Sequence, residues 1–178
     1  LPDTLKERDG DSLDPRPSEL RLYPEAGSGF RLEAPDGRAI EAGALRDGLR
    51  EVVSSDGLRW TLRETATGET AGFVLEAADA ERGREIARSA RRPTGPGLEP
   101  WAFHLADGRV FLAAPTIENE AGYELHGWEV RGAYWIAGRQ GARWTLRATA
   151  AGRRLRGDEA VLVLLAAEIL AAGDGSTD

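Results

Sequence analysis

From Arg21 onward, apolar and polar residues alternate in short stretches separated by turn signals. Phe30, Leu32 and Ala34 alternate with Arg31 and Glu33, Pro35-Asp36-Gly37 forms a turn, and Arg38 to Glu41 returns as a second strand. Gly48 and Ser54-Ser55-Asp56-Gly57 bracket a run containing Leu49, Val52 and Val53. Leu58, Trp60 and Leu62 alternate with Arg59, Thr61 and Arg63, the pattern of a strand with one wet face. Thr67-Gly68 turns the chain and Phe73-Val74-Leu75 returns it. Asp79 to Arg92 fits either a short helix or a strand over Arg84 to Arg88, and the prolines and glycines from Pro93 to Pro100 read as a linker. Beyond it the texture resumes: Trp101, Phe103 and Leu105 alternate, Asp107-Gly108 turns, and Val110 to Leu112 returns. Tyr123, Leu125, Trp128, Val130, Tyr134, Trp135 and Ile136 supply further strands. This is a meander of short antiparallel strands.

One stretch breaks the pattern. Asp158 can cap a helix and Glu159 sits in its first turn; Ala160 to Ala167 is unbroken apolar, Glu168 interrupts, and Ile169 to Ala172 resume before Gly173. A helix apolar on every face must be buried on every face. Fourteen residues at ~1.5 Å rise reach ~21 Å, short of ~30 Å of hydrocarbon, so the segment reads as a core plug and not as a membrane span. Glu168 needs an arginine partner or a raised pKa if it is enclosed. Lying close to Gly173, it is expected at a wet mouth instead.

The chain also echoes itself. Gly57-Leu-Arg-Trp-Thr-Leu-Arg-Glu-Thr-Ala-Thr-Gly68 matches Gly141-Ala-Arg-Trp-Thr-Leu-Arg-Ala-Thr-Ala-Ala-Gly152 at nine of twelve positions, offset by 84 residues, and Gly48 and Gly132 share that offset. Two related half-units, about 21–92 and 101–173, are expected to close around the helix. The fold class is thus mainly β, a closed antiparallel barrel around a buried C-terminal helix. Residues 1–20, with Asp3, Glu7, Asp9, Asp11, Asp14, Pro15 and Pro17, read as a solvated acidic tail, 21–173 as one domain, and 174–178 as a second tail.

Composition narrows the function classes. The 178 residues carry a formal net charge of -7, which argues against a general nucleic-acid binder. The absence of cysteine excludes disulfides, thiol chemistry and cysteine-ligated zinc. Lys6 is the one lysine, so almost all positive charge is arginine. The chain does not begin with methionine, which leaves a removed leader or a tag open. The expected compartment is the cytoplasm, with attachment to a membrane surface left open.

The strand Arg143-Trp144-Thr145-Leu146 running into Gly157-Asp158-Glu159-Ala160 and the apolar run to Leu170 resembles the tubby C-terminal-like superfamily. That superfamily includes the LURP-one-related proteins, the phospholipid scramblases and small bacterial relatives. The strand–Asp-Gly–strand unit at Phe30 to Ile40 and the segment Gly83-Arg84-Glu85-Ile86-Ala87-Arg88 are similar to it too. The resemblance covers roughly Arg21 to Ala172. It implies a twelve-stranded antiparallel barrel around a central helix, and a binding module whose partner is an anionic phospholipid or membrane surface.

Arginine suits bidentate contact with phosphate, so Arg84, Arg88, Arg91 and Arg92 are the candidate ligand-binding residues, although Glu81 and Glu85 dilute the cluster and a charge run is often only a solvated face. Arg153, Arg154 and Arg156 form a second basic run. His104 and His126 are the two histidines; strand alternation puts Glu124 and His126 on one face, without HxH or HExxH spacing, so no metal or cofactor is assigned. Neither a nucleophile elbow nor a phosphate-cradling glycine loop supports catalysis. The five tryptophans are expected to pack the barrel. The leading reading is a non-enzymatic binding module. The alternatives are a protein-interaction or structural accessory domain and an enzyme using His126 with nearby carboxylates.

Overall fold

The computed structural model describes residues 19–65, 72–78, 84–91, 101–116, 122–127, 133–140, 143–149 and 159–174. The first six strands are β1 (Glu19–Glu25), β2 (Gly29–Glu33), β3 (Ala39–Ala42), β4 (Leu49–Ser54), β5 (Arg59–Thr65) and β6 (Gly72–Ala77). The next six are β7 (Arg84–Arg91), β8 (Trp101–Leu105), β9 (Val110–Pro115), β10 (Gly122–Gly127), β11 (Ala133–Gln140) and β12 (Arg143–Ala148). Each strand pairs antiparallel with its neighbour in sequence, and β1 pairs with β12, which closes the barrel and leaves no free edge. The helix α1 (Glu159–Asp174) packs against the strands, chiefly β6 and β7 and less against β2 and β8.

The period of two decides what enters the barrel. Along β4, Leu49, Glu51 and Val53 are exposed while Arg50, Val52 and Ser54 are buried. On α1, Ala160 to Ala167 and Ile169 are all at most 4% exposed, so every face of the helix is covered. Each large apolar side chain buried there contributes about 1.5–3 kcal/mol. Small wall residues make room: Ala42, Ala87, Ala113 and Ala137 are at most 1% exposed. The side from β8 to β12 is packed with rings. Trp101, Tyr123 and Trp144 lie on alternate strands β8, β10 and β12; the first two rings meet tilted with centroids 4.5 Å apart and the last two stack at 6.0 Å, while Ala113 and Ala137 occupy the strands between.

Local chemistry fixes the turns and register. Asp36-Gly37-Arg38 and Asp107-Gly108-Arg109 use one design. Each glycine has φ near +95°, and each aspartate accepts the arginine N–H at 3.0 Å and its Nε–H at 2.9 Å and 2.8 Å respectively. In β11 an extra residue, Tyr134, bulges between the pairs Leu125–Trp135 and His126–Ala133. A Cβ on Gly127 would lie 2.1 Å from the Tyr134 ring, so any larger residue there would have to displace that ring.

The structure sharpens several expectations. Asp79 to Arg92 contributes a strand, β7, and its helical alternative falls away over Arg84–Arg91. β1 starts at Glu19, so Leu20, read as tail, belongs to the core at 7% exposure. The acid- and proline-rich run ahead of it hid the alternation of Glu19, Leu20, Arg21 and Leu22. Glu168 is 3% exposed and not at a wet mouth, because α1 continues to Asp174 and the wall covers it. Arg50, at 7%, faces inward from β4 over the Phe73 ring. Neither buried charge is without a partner. The echoed segments form β5 and β12, seven strands apart and so opposite in direction around the wall; a repeat of six strands would have paired β5 with β11. Trp128 and the Pro93–Pro100 linker lie outside the described residues.

Candidate functional site

The candidate arginines of β7 occupy different register positions. Arg88 is exposed on the outer wall, opposite Val74 and His104. Arg84 lies opposite Ala77, at the start of the strand, and is exposed. Arg91 ends the strand opposite Trp101, and Arg92 lies outside the described residues. One residue, Ile86, is extra between the pairs Leu75–Ala87 and Glu76–Glu85, and this bulge returns Glu85 to the face of Arg88. The Arg88 Nε–H therefore donates to Glu85 Oε2 at 2.9 Å. That hydrogen bond, above all, holds the Glu85 carboxyl below the usual carboxylate range. Arg88 thus has an intramolecular anion already.

The pair foreseen on β10 forms: His126 Nε2 lies 3.1 Å from Glu124 Oε1. Its Cα neighbours are Leu112 and Ala114 on β9 and Ala133 and Ile136 on β11, so two polar residues stand on apolar ground. Among the described residues no group of three or more His, Asp or Glu side chains is placed to hold a metal ion.

The outer wall carries a more informative pair of sites. In β5, Thr61 is flanked by Glu51 on β4 and Glu76 on β6. Arg59 reaches Glu51 at 3.0 Å and Arg63 reaches Glu76 at 3.2 Å, both across strands. In β12 the same five residues recur as Arg143-Trp144-Thr145-Leu146-Arg147, with the same burial: arginines exposed, Trp and Thr half-buried, Leu fully buried. Here Thr145 is flanked by Gly138 on β11 and Arg21 on β1. Trp144 and Leu146 pack inward, so Arg143, Thr145 and Arg147 lie on the outer face. Arg143 and Arg147 make no ion pair or side-chain hydrogen bond among the described residues. Gly138 leaves the space above it open; an added Cβ would meet nothing within 4 Å. The nearby acids are Glu19 and Glu33. Glu19 lies opposite Arg147 and 3.7 Å from the Arg21 guanidinium, and Glu33 is paired with Arg31 at 3.4 Å. Hydrogen bonding to Tyr23, more than the charge of Glu19, raises the pKa of Arg21.

These features define a closed antiparallel β-barrel wrapped around an apolar helix, with buried charges at Arg50 and Glu168 and the other charged groups described above on the outer wall. No family model, curated protein or solved structure matches the chain. The likeness to the tubby C-terminal-like superfamily therefore rests on the sequence segments that carry it. No helix among the described residues is long and apolar enough to cross a membrane.

Proposed function

We propose that the chain is a non-enzymatic binding module that works through the outside of its barrel, with an anionic lipid or membrane surface as its ligand. The observation that supports this most is the filled interior: a helix buried on all faces occupies the place where an open barrel would hold a ligand. Exposed arginines on the outer wall provide the complementary charge. The test is flotation with anionic and with neutral vesicles at low and physiological salt, alongside a variant with Arg84, Arg88, Arg91 and Arg92 all changed to Ala. Flotation confined to anionic vesicles and weakened by salt supports the reading, and loss in the variant assigns it to β7. No flotation even at low salt overturns it.

A second reading, a protein-interaction module, draws on Leu49 and Val53, which protrude from one face of β4 at 39% and 36% exposure, and on Leu58 at 42% in the following turn. A stable partner that co-purifies with the natural chain, and is lost when Leu49 and Val53 become Ser, supports that reading.

A further inference from the structure

We propose that the outer face of β12, over Gly138 and Thr145 and bordered by Arg21, Arg143 and Arg147, is a binding site for a phosphate group. The molecule contains its own control. The five-residue segment of β5 shows what two outward arginines around a threonine take up when carboxylates are in reach: Glu51 and Glu76, at 3.0 Å and 3.2 Å. At β12 the two carboxylate positions are occupied by a glycine and a third arginine.

The charge around the two threonines differs accordingly. Around Thr61, two arginines meet two glutamates and the sum is zero. Around Thr145, among the described residues, Arg21, Arg143 and Arg147 supply three positive charges and Glu19 removes one, while Glu33, opposite Arg21, is offset by its own pair with Arg31, which leaves +2. A phosphate monoester near neutral pH carries about -1.5 to -2. Arg143 and Arg147 are four residues apart, about 13 Å along a strand, and Arg21 stands across from the midpoint. Long arginine side chains span that distance to a group seated over Gly138, where nothing occupies the space. Guanidinium forks suit the several oxygens of phosphate better than the two of a carboxylate.

This inference deepens the anion-binding reading and rests on it, but it moves the site from β7 to β12. A soluble ester and a lipid headgroup both present such a phosphate, and the experiment separates these sources. The arginine Nε–H resonances are followed by NMR while phenyl phosphate is added at low salt, and flotation is run with vesicles of phosphatidylcholine with and without phosphatidic acid. The signals of Arg21, Arg143 and Arg147 are expected to shift and saturate, while those of Arg59 and Arg63 stay put. R143A/R147A is expected to weaken binding at least tenfold. G138E restores a carboxylate to the position that Glu51 holds in β5 and is expected to abolish binding without a loss of fold.

Binding of phenyl phosphate without flotation assigns the site to soluble esters and overturns the membrane reading alone. Flotation that R143A/R147A abolishes assigns the site to lipid phosphate. Flotation that persists in R143A/R147A but is lost in the β7 variant overturns the β12 site alone. Equal shifts at β5 and β12, binding that survives G138E, or no response in either assay overturns the proposal.

Discussion

β5 and β12 carry the same five residues, Arg-Trp-Thr-Leu-Arg, with the same burial, yet they present opposite surfaces. In β5 both arginines are neutralised by glutamates on the flanking strands, and the row Glu51–Thr61–Glu76 closes on itself. In β12 the row is Gly138–Thr145–Arg21, and two arginines stand without ion pairs among the described residues. A strand therefore determines which side chains face water, while its neighbours determine what those side chains are free to do. The inward halves of the two segments do one job and the outward halves do two.

The inward halves give the largest effects. Leu62 and Leu146 are both 0% exposed and belong to the same core. Leu62→Ala and Leu146→Ala should each cost about 2–5 kcal/mol, by lost transfer energy and a residual cavity. Urea unfolding measures this. If one substitution costs less than ~1 kcal/mol while the other falls in the expected range, the two interiors are not equivalent and the comparison fails at its base.

The outward halves can be exchanged. E51G/E76R gives β5 the row that β12 has, and should create phosphate-responsive signals at Arg59 and Arg63 with an affinity within about tenfold of the β12 site. The loss of two exposed ion pairs should itself cost little, ~0–1 kcal/mol for each pair. A folded E51G/E76R protein whose Arg59 and Arg63 signals ignore phenyl phosphate would show that the flanking residues do not determine anion capture.

The sequence carried the barrel, the plug and most turns because each is a local pattern. Phe30, Leu32 and Ala34 declare their face by alternation, and Asp36-Gly37 and Asp107-Gly108 declare their turns by chemistry. The sequence places Glu168 at a wet mouth and the structure buries it, because its enclosure depends on how far the wall extends around a helix that is otherwise apolar. Closeness in sequence does not tell what each β7 arginine meets on the wall. The bulge at Ile86, invisible in the residue pattern, turns Glu85 toward Arg88 and neutralises it. The β12 face was illegible for another reason. The echo brought Arg143 and Arg147 to notice, but their freedom depends on Gly138 and Arg21, and Arg21 reaches β12 only through barrel closure across the whole length of the chain. Contacts of high sequence separation leave no trace in a local pattern.

The smallest predicted effect separates an arginine with its own anion from arginines without one. The Glu85 carboxyl is held below its ordinary range, first by the Arg88 hydrogen bond. A carboxylate whose folded pKa is depressed contributes stability that is present above the unfolded value, about 4.3, and is lost as pH falls through the folded value. The natural protein should therefore lose a small increment of stability below about pH 4 that E85Q does not lose. Both side chains are substantially solvated, at 55% and 37%, so the increment should stay within ~0–1 kcal/mol. Among the described residues neither Arg143 nor Arg147 has a carboxylate partner. Adding phenyl phosphate supplies them with an anion, and its stabilising effect should fade over the pH range in which the ligand itself loses charge, near its second pKa of about 6. If the phosphate effect instead followed the Glu85 transition, which lies below the ordinary carboxylate range, the anion would be answering to β7 and not to β12.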